Sequence, residues 1–170
     1  LHDKKIGIRG AGNIGSAVIQ IARVFTNKIY CHTKHPDKHT VLKNANVIFT
    51  NINRLFSETD VIIVTVPLTN ETKGMINNDQ ISLMKKDSIF VSISRTPVID
   101  IDNLCTAVEK GTILGAAIDG EFPEHIYTRY KETPNLLLTT HIAGNSIDAN
   151  AKADTLMGGK IIQHITHLQF

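Results

Sequence analysis

Gly10-Ala-Gly-Asn-Ile-Gly15 follows a short apolar segment, Lys5-Ile-Gly-Ile-Arg9, and opens a stretch of helical periodicity. A glycine turn between strand and helix has the context to hold a dinucleotide pyrophosphate. Gly10 permits the tight turn, Gly12 lets the backbone approach the anion, and Gly15 lets the helix pack closely on the sheet. The helix start, with Asn13 and Ile14, then turns its unpaired amides and positive dipole end toward the phosphates. A glycine-rich structural turn is the other reading. A second strand, Lys28 to His32, should end where an acidic residue meets the adenosine ribose hydroxyls, yet none stands there, and Asp37 lies beyond the turn. Thr33 and Lys34 occupy the place, and a hydroxyl with a cation suits a ribose phosphate, so NAD and NADP are both open. Lys34 and Lys38 as members of a solvated loop is the alternative.

The elements that must position these residues alternate along the chain. A helix is expected from Ile14 to Phe25, with Ile14, Val18, Ile21, Ala22 and Phe25 as its buried stripe. The segment from His35 to Asn46 reads as a loop with at most a short helix, and Asn51 to Ser57 as one or two helical turns. Further strands are expected at Val61 to Val66, stopped by Pro67, and at Ser88 to Ser92, Ile113 to Ile118 and Asn135 to Thr139. Helices fall at Asn78 to Met84, at Ile101 to Lys110, and from Asn150 or Ala151 through the 160s. Strands apolar along their whole length between amphipathic helices predict an α/β fold: a Rossmann-type, doubly wound parallel sheet in three layers, α/β/α, as one domain over 1–170.

The composition agrees. The 170 residues are 42% hydrophobic and 20% charged, with a formal charge of +2, which excludes a polybasic nucleic-acid or membrane binder and a disordered acidic chain. Cys31 and Cys105 lack thiolate-site spacing, and no His, Cys or carboxylate cluster has metal spacing, so no metal is expected. Free thiols and the absence of a signal-peptide or membrane-spanning pattern favour a cytoplasmic protein. The chain opens on Leu1 with its first strand close behind, as a piece of a longer protein would.

Four ordered motifs, GAGNIG at Gly10, VPLTNETKGMI at Val66, SLMKKDSIFVSISRTPVID at Ser82, and GAAIDGEFPE at Gly115 followed by LLLTTHIAG at Leu136, carry a resemblance over nearly the whole chain. The sequence is similar to the nucleotide-binding domain of the D-isomer specific 2-hydroxyacid dehydrogenases. The resemblance implies hydride transfer between a nicotinamide cofactor and C2 of a small D-2-hydroxy acid or 2-keto acid. It implies that Arg95 grips the substrate carboxylate, that His141 gives and takes the proton, and that Glu124, favoured by register over Glu121, supports the histidine. Asp119 would bind the nicotinamide carboxamide. Val66, Pro67 and Thr72 would run along the cofactor, and Ile93, Ser94, Arg95, His141 and Gly144 would line the nicotinamide pocket. A homodimer and a small carboxylate substrate are the partners implied, and the final helix, Asp154 to His167, resembles the segment leading back to a separate substrate domain.

Departures from the family pattern are Thr96 for a glycine after the arginine, Gly120 and Glu121 for apolar residues, Ser92 for a frequent asparagine, and Arg9 for an apolar or small residue. They keep two other readings open: a nucleotide-sensing corepressor-like module, and a degenerate fragment that binds cofactor without turnover.

Overall fold

The computed structural model describes residues 1–38 and 46–168; the middle of the loop expected from His35 to Asn46 lies outside the described residues. Parallel strands β1 (Ile6–Arg9), β2 (Ile29–His32), β3 (Ile48–Phe49), β4 (Val61–Val64), β5 (Ile89–Ser92), β6 (Gly115–Asp119) and β7 (Leu136–Thr139) form one sheet. Their order is β3-β2-β1-β4-β5-β6-β7. Successive strands therefore run outward one way from β1 and the other way from β4. The crevice over the carboxyl ends of β1 and β4 is where such a sheet takes a ligand.

Helix α1 (Asn13–Ala22) covers one face, and α2 (Ile52–Glu58), α3 (Asn78–Ser82), α4 (Ile101–Glu109) and α5 (Glu124–Tyr130) belong to the other. On the first face Ile6, Ile8, Ile29 and Cys31 pack with Ile19 and Ala22 of α1. On the second, Phe56 of α2 meets Phe90 of β5 with ring centroids 6.4 Å apart, beside Ile62, Val64, Leu104 and Ile118. Each fully buried Ile, Leu, Val or Phe among them stabilises the fold by about 1.5–3 kcal/mol.

The expected stripe of α1 is corrected. Gly15, Ile19 and Ala22 are its buried residues, whereas Ile14, Ile21 and Phe25 are 54%, 64% and 50% exposed. Contact at Gly15 sets the rotation of the helix, so the residues four and seven positions on face the sheet. Ile14 is thereby turned toward the ligand edge.

Two elements go beyond the sequence expectation. Strand β3 is two residues long and pairs with Tyr30 and Cys31. Helix α5 follows Pro123 and buries Ile126 and Tyr130, and the Tyr130 hydroxyl lies 2.9 Å from Thr106 Oγ1. The last helix, α6 (Ile147–Leu168), starts earlier than expected because Ser146 Oγ accepts from the Ala149 amide at 3.1 Å, an N-cap. No helix among the described residues is long and apolar enough to cross a membrane.

Candidate functional site

The first cleft at the carboxyl edge is built by the β1–α1 turn. Gly10 has φ +103°, which a side chain resists, and a Cβ on Gly15 would stand 2.0 Å from the Gly10 carbonyl oxygen. Gly12 caps α1 without a side-chain hydrogen bond, no acid occupies the first turn, and a Cβ on Gly12 would meet nothing within 4 Å. Asn13 and Ile14 open the helix, so its first amides face open space that suits an anion.

The cleft in front of them measures about 540 Å³, and Gly10, Gly12, Thr33, Lys34, Val66, Pro67 and Thr72 all line it with Arg9 and His32. Thr72 fixes the loop after β4: its hydroxyl donates to the Pro67 carbonyl at 2.6 Å and accepts from the Thr69 amide at 2.8 Å. Lys34 lies across the cleft from Glu71, its ammonium 2.7 Å from both carboxylate oxygens. Both side chains are exposed, so solvent screens the pair and it adds little to stability, but it counters the Lys34 charge. Burial, and then the Arg9 charge, push the His32 imidazole down to about 4, so it is neutral at physiological pH.

A second cleft of about 650 Å³ begins on the other side of the α1 N-terminus. Ile14, Ile93, Arg95, Asp119, His141 and Gly144 line it. Ser94 is buried behind them, and its hydroxyl donates to the Val66 carbonyl, tying the ends of β4 and β5 together. Arg95 donates from Nη1 to the Ser94 carbonyl at 2.9 Å, leaving the rest of its fork to the cleft. These two spaces fit a dinucleotide: an uncapped helix start for the pyrophosphate lies between a pocket at the end of β2 and a pocket holding an arginine and a histidine.

Asp119, 7% exposed at the end of β6, organises the second pocket. Its Oδ1 accepts from the Thr139 hydroxyl at 2.6 Å and the Ile142 amide at 2.8 Å, and its Oδ2 accepts from the Ala143 amide at 3.0 Å. Burial by itself would raise this carboxyl, but those hydrogen bonds and the nearby His141 together hold it below the usual aspartate value. His141 Nδ1 stands 3.6 Å from Asp119 Oδ2. The His141 backbone has φ +58°, an uncommon conformation for a residue with a side chain, held by the hydrogen bond its amide donates to the Thr139 carbonyl and by the Asp119 grip on the next two amides. Asp119 is thus taken up by the loop that presents His141, a role that the carboxamide contact implied by the resemblance did not include.

Glu124 is not brought to the histidine. It is the exposed first residue of α5, and among the described residues no ion pair or hydrogen bond joins it to His141. Its carboxylate stands instead at the positive end of a helix, where it is favoured. Glu121 is exposed as well. The carboxylate beside the imidazole is Asp119, a juxtaposition made by the pairing of Asp119 with Thr139 across β6 and β7.

Two of the departures noted in the sequence compensate each other. A Cβ on Gly120 would lie 2.4 Å from Thr96 Oγ1, so the hydroxyl fills the space that a side chain at 120 would occupy. Gly120→Ala is expected to destabilise the protein by about 1–3 kcal/mol through overpacking, and Thr96→Gly in the same chain to restore most of that loss. A double-mutant cycle by urea unfolding checks this, and additive effects would refute the contact.

Residues 1–143 match the sequence model of the D-isomer specific 2-hydroxyacid dehydrogenase, NAD binding domain. The chain is 34% identical over 164 residues to a glyoxylate reductase of Pyrococcus horikoshii, a match covering 95% of this chain and 48% of that protein. It superposes on a D-lactate dehydrogenase from Aquifex aeolicus complexed with NAD and lactic acid with a TM-score of 0.86 and 25% identity, covering 96% of this chain and 54% of the other. An acyclic imino acid reductase solved with NADPH and D-arginine gives a TM-score of 0.82 and 27% identity, covering 98% and 52%. The chain spans about half the length of the curated relatives it matches. With its glycine turn, its sheet order and its Arg95 and His141 pocket, this chain belongs to the D-isomer specific 2-hydroxyacid dehydrogenase family and carries that family's NAD-binding domain.

Proposed function

We propose that this domain serves an oxidoreductase that interconverts a small 2-keto acid and its D-2-hydroxy acid. The observation that carries the reading is the presence of Arg95 and His141 in one cleft beside the start of α1. The bound nicotinamide dinucleotide would supply or accept the hydride at substrate C2. Arg95 meets the substrate carboxylate with two parallel hydrogen bonds, a match to its planar fork. His141, with Nδ1 turned to Asp119, leaves Nε2 to donate a proton to the C2 oxygen in reduction and to remove it in oxidation. Asp119, 3.6 Å from Nδ1, orients the ring.

The relatives support glyoxylate, lactate and phosphoglycerate as the first substrates to test. Here the cleft is open to solvent, so turnover belongs to a protein in which a second domain closes over it. The mutual fit of Thr96 and Gly120 counts against a decayed site. In a form of the protein that carries the facing domain, glyoxylate reduction with NADH is expected to fall about 10²–10⁴-fold in kcat for His141→Ala, while Arg95→Ala chiefly raises KM. Unchanged kcat in the histidine variant would overturn the reading and leave a binding module.

A further inference from the structure

Arg9 ends β1, in register with His32 of β2 on one side and Val64 of β4 on the other. Only 8% exposed, it lines the first cleft. Its Nη1 donates to the His32 carbonyl at 3.2 Å, but its Nε is buried without a partner. Among the described residues no carboxylate pairs with it, and segment 39–45 contains no Asp or Glu. A buried cation left this way is costly and is seldom retained without an anion to meet.

Its neighbours do not balance the charge. His32 is neutral near pH 7, with Nδ1 also buried and unpartnered, and burial keeps the Cys31 thiol protonated, pushed up to about 12. Lys34 is occupied by Glu71, so that pair adds no net charge. Burial lowers the Arg9 pKa, the direction expected of a guanidinium whose counter-charge is not supplied by the protein. The pyrophosphate of a dinucleotide belongs at the α1 amides. The Arg9 guanidinium is placed instead at the end of β2, where the adenosine ribose is met and where an acid would repel a phosphate.

We propose that Arg9, with His32 and Thr33, forms an anion subsite for the 2′-phosphate of the adenosine ribose, so that this domain prefers NADPH to NADH. The inference rests on the dinucleotide reading above and names the residue that selects the cofactor. A phosphate monoester brings nearly two negative charges and three acceptor oxygens to a site with an uncompensated cation and orphaned donors.

The test is calorimetric titration of the purified 170-residue chain with NADPH and with NADH, repeated on Arg9→Gln and Arg9→Lys. The unsubstituted chain is expected to bind NADPH at least about tenfold more tightly. Arg9→Gln should bring the NADPH affinity down to that of NADH, and Arg9→Lys, which keeps the charge but not the fork, should retain part of the preference. Equal affinities, or tighter NADH binding, in the unsubstituted chain overturn the subsite while leaving the dinucleotide reading intact, whatever the folding of the variants. An NADPH preference that persists in folded Arg9→Gln overturns the role of Arg9. Binding of neither cofactor overturns both readings.

Discussion

Gly12→Val is expected to weaken dinucleotide binding by at least about 100-fold, or roughly 2.7 kcal/mol, while the fold keeps its stability within about 0.5 kcal/mol. Gly12 has φ −66° and ψ −168°, angles open to a branched residue, and a Cβ there meets no protein atom. The new side chain would project into the space where the helix amides await an anion. Gly15→Val should behave differently. A Cβ at 15 would stand 2.0 Å from a backbone oxygen and 2.8 Å from Thr65 Oγ1, so α1 must leave the sheet or the β1–α1 turn must deform. Here a stability loss on the order of 3 kcal/mol is expected together with lost binding. Denaturant unfolding and NADH fluorescence titration on both variants separate blocked site from broken fold. Equal destabilisation by both would contradict the open cradle at Gly12.

Asp119→Asn should cost about 3 kcal/mol at neutral pH. The carboxylate accepts hydrogen bonds from a hydroxyl and two backbone amides, and an asparagine offers one oxygen acceptor and turns an NH2 group toward the remaining donors. The sign with pH follows from the direction of the shift. Because the folded carboxyl is held below its ordinary value of about 3.9, its contribution is fully present above that value and is lost as pH falls through the folded pKa. Native and variant stabilities measured by urea unfolding should therefore differ at pH 7 and converge as the medium becomes strongly acidic. A constant difference down to the acid limit would show that shape, not charge, holds the His141 loop. In a form that turns over substrate, the same variant should lower kcat more than it changes KM, a split that a purely structural role would not produce.

Much of this arrangement is legible in the amino-acid sequence. The strand, glycine turn and helix around Gly10 define the cofactor end of the sheet, and whole-strand apolarity at β4 and β5 marks a sheet buried between helices. Of the residues expected in the site, Asn13, Gly15, Ser94 and Glu124 line neither cleft, and the others line one of the two. What the sequence hides are properties set by contacts between distant segments. The rotation of α1 follows from the contact of Gly15 with Gly10 and Thr65, not from the best apolar stripe. The Asp119 and His141 juxtaposition depends on strand register, which counting along the chain from Asp119 to Glu124 cannot reveal. Lys34 loses its claim as a lone cation to Glu71, on the loop after β4. Arg9 reads as an oddity in a short strand until its burial and its unpartnered Nε are seen.

Amide chemical-shift mapping of the isotope-labelled chain during titration with NADH tests most directly that these clefts form one dinucleotide site. The predicted result is a saturable perturbation of Gly10 to Gly15, Val66, Thr72, Ile93, Ser94 and the loop from His141 to Gly144, weakest at the opposite edge of the sheet. The cavity of about 450 Å³ at the strands' amino ends, lined by Ile89, Leu114 and Leu137, supplies the contrast. Perturbations confined to that cavity, or none in a folded chain at millimolar NADH, would contradict the assignment of the carboxyl-edge clefts to the cofactor.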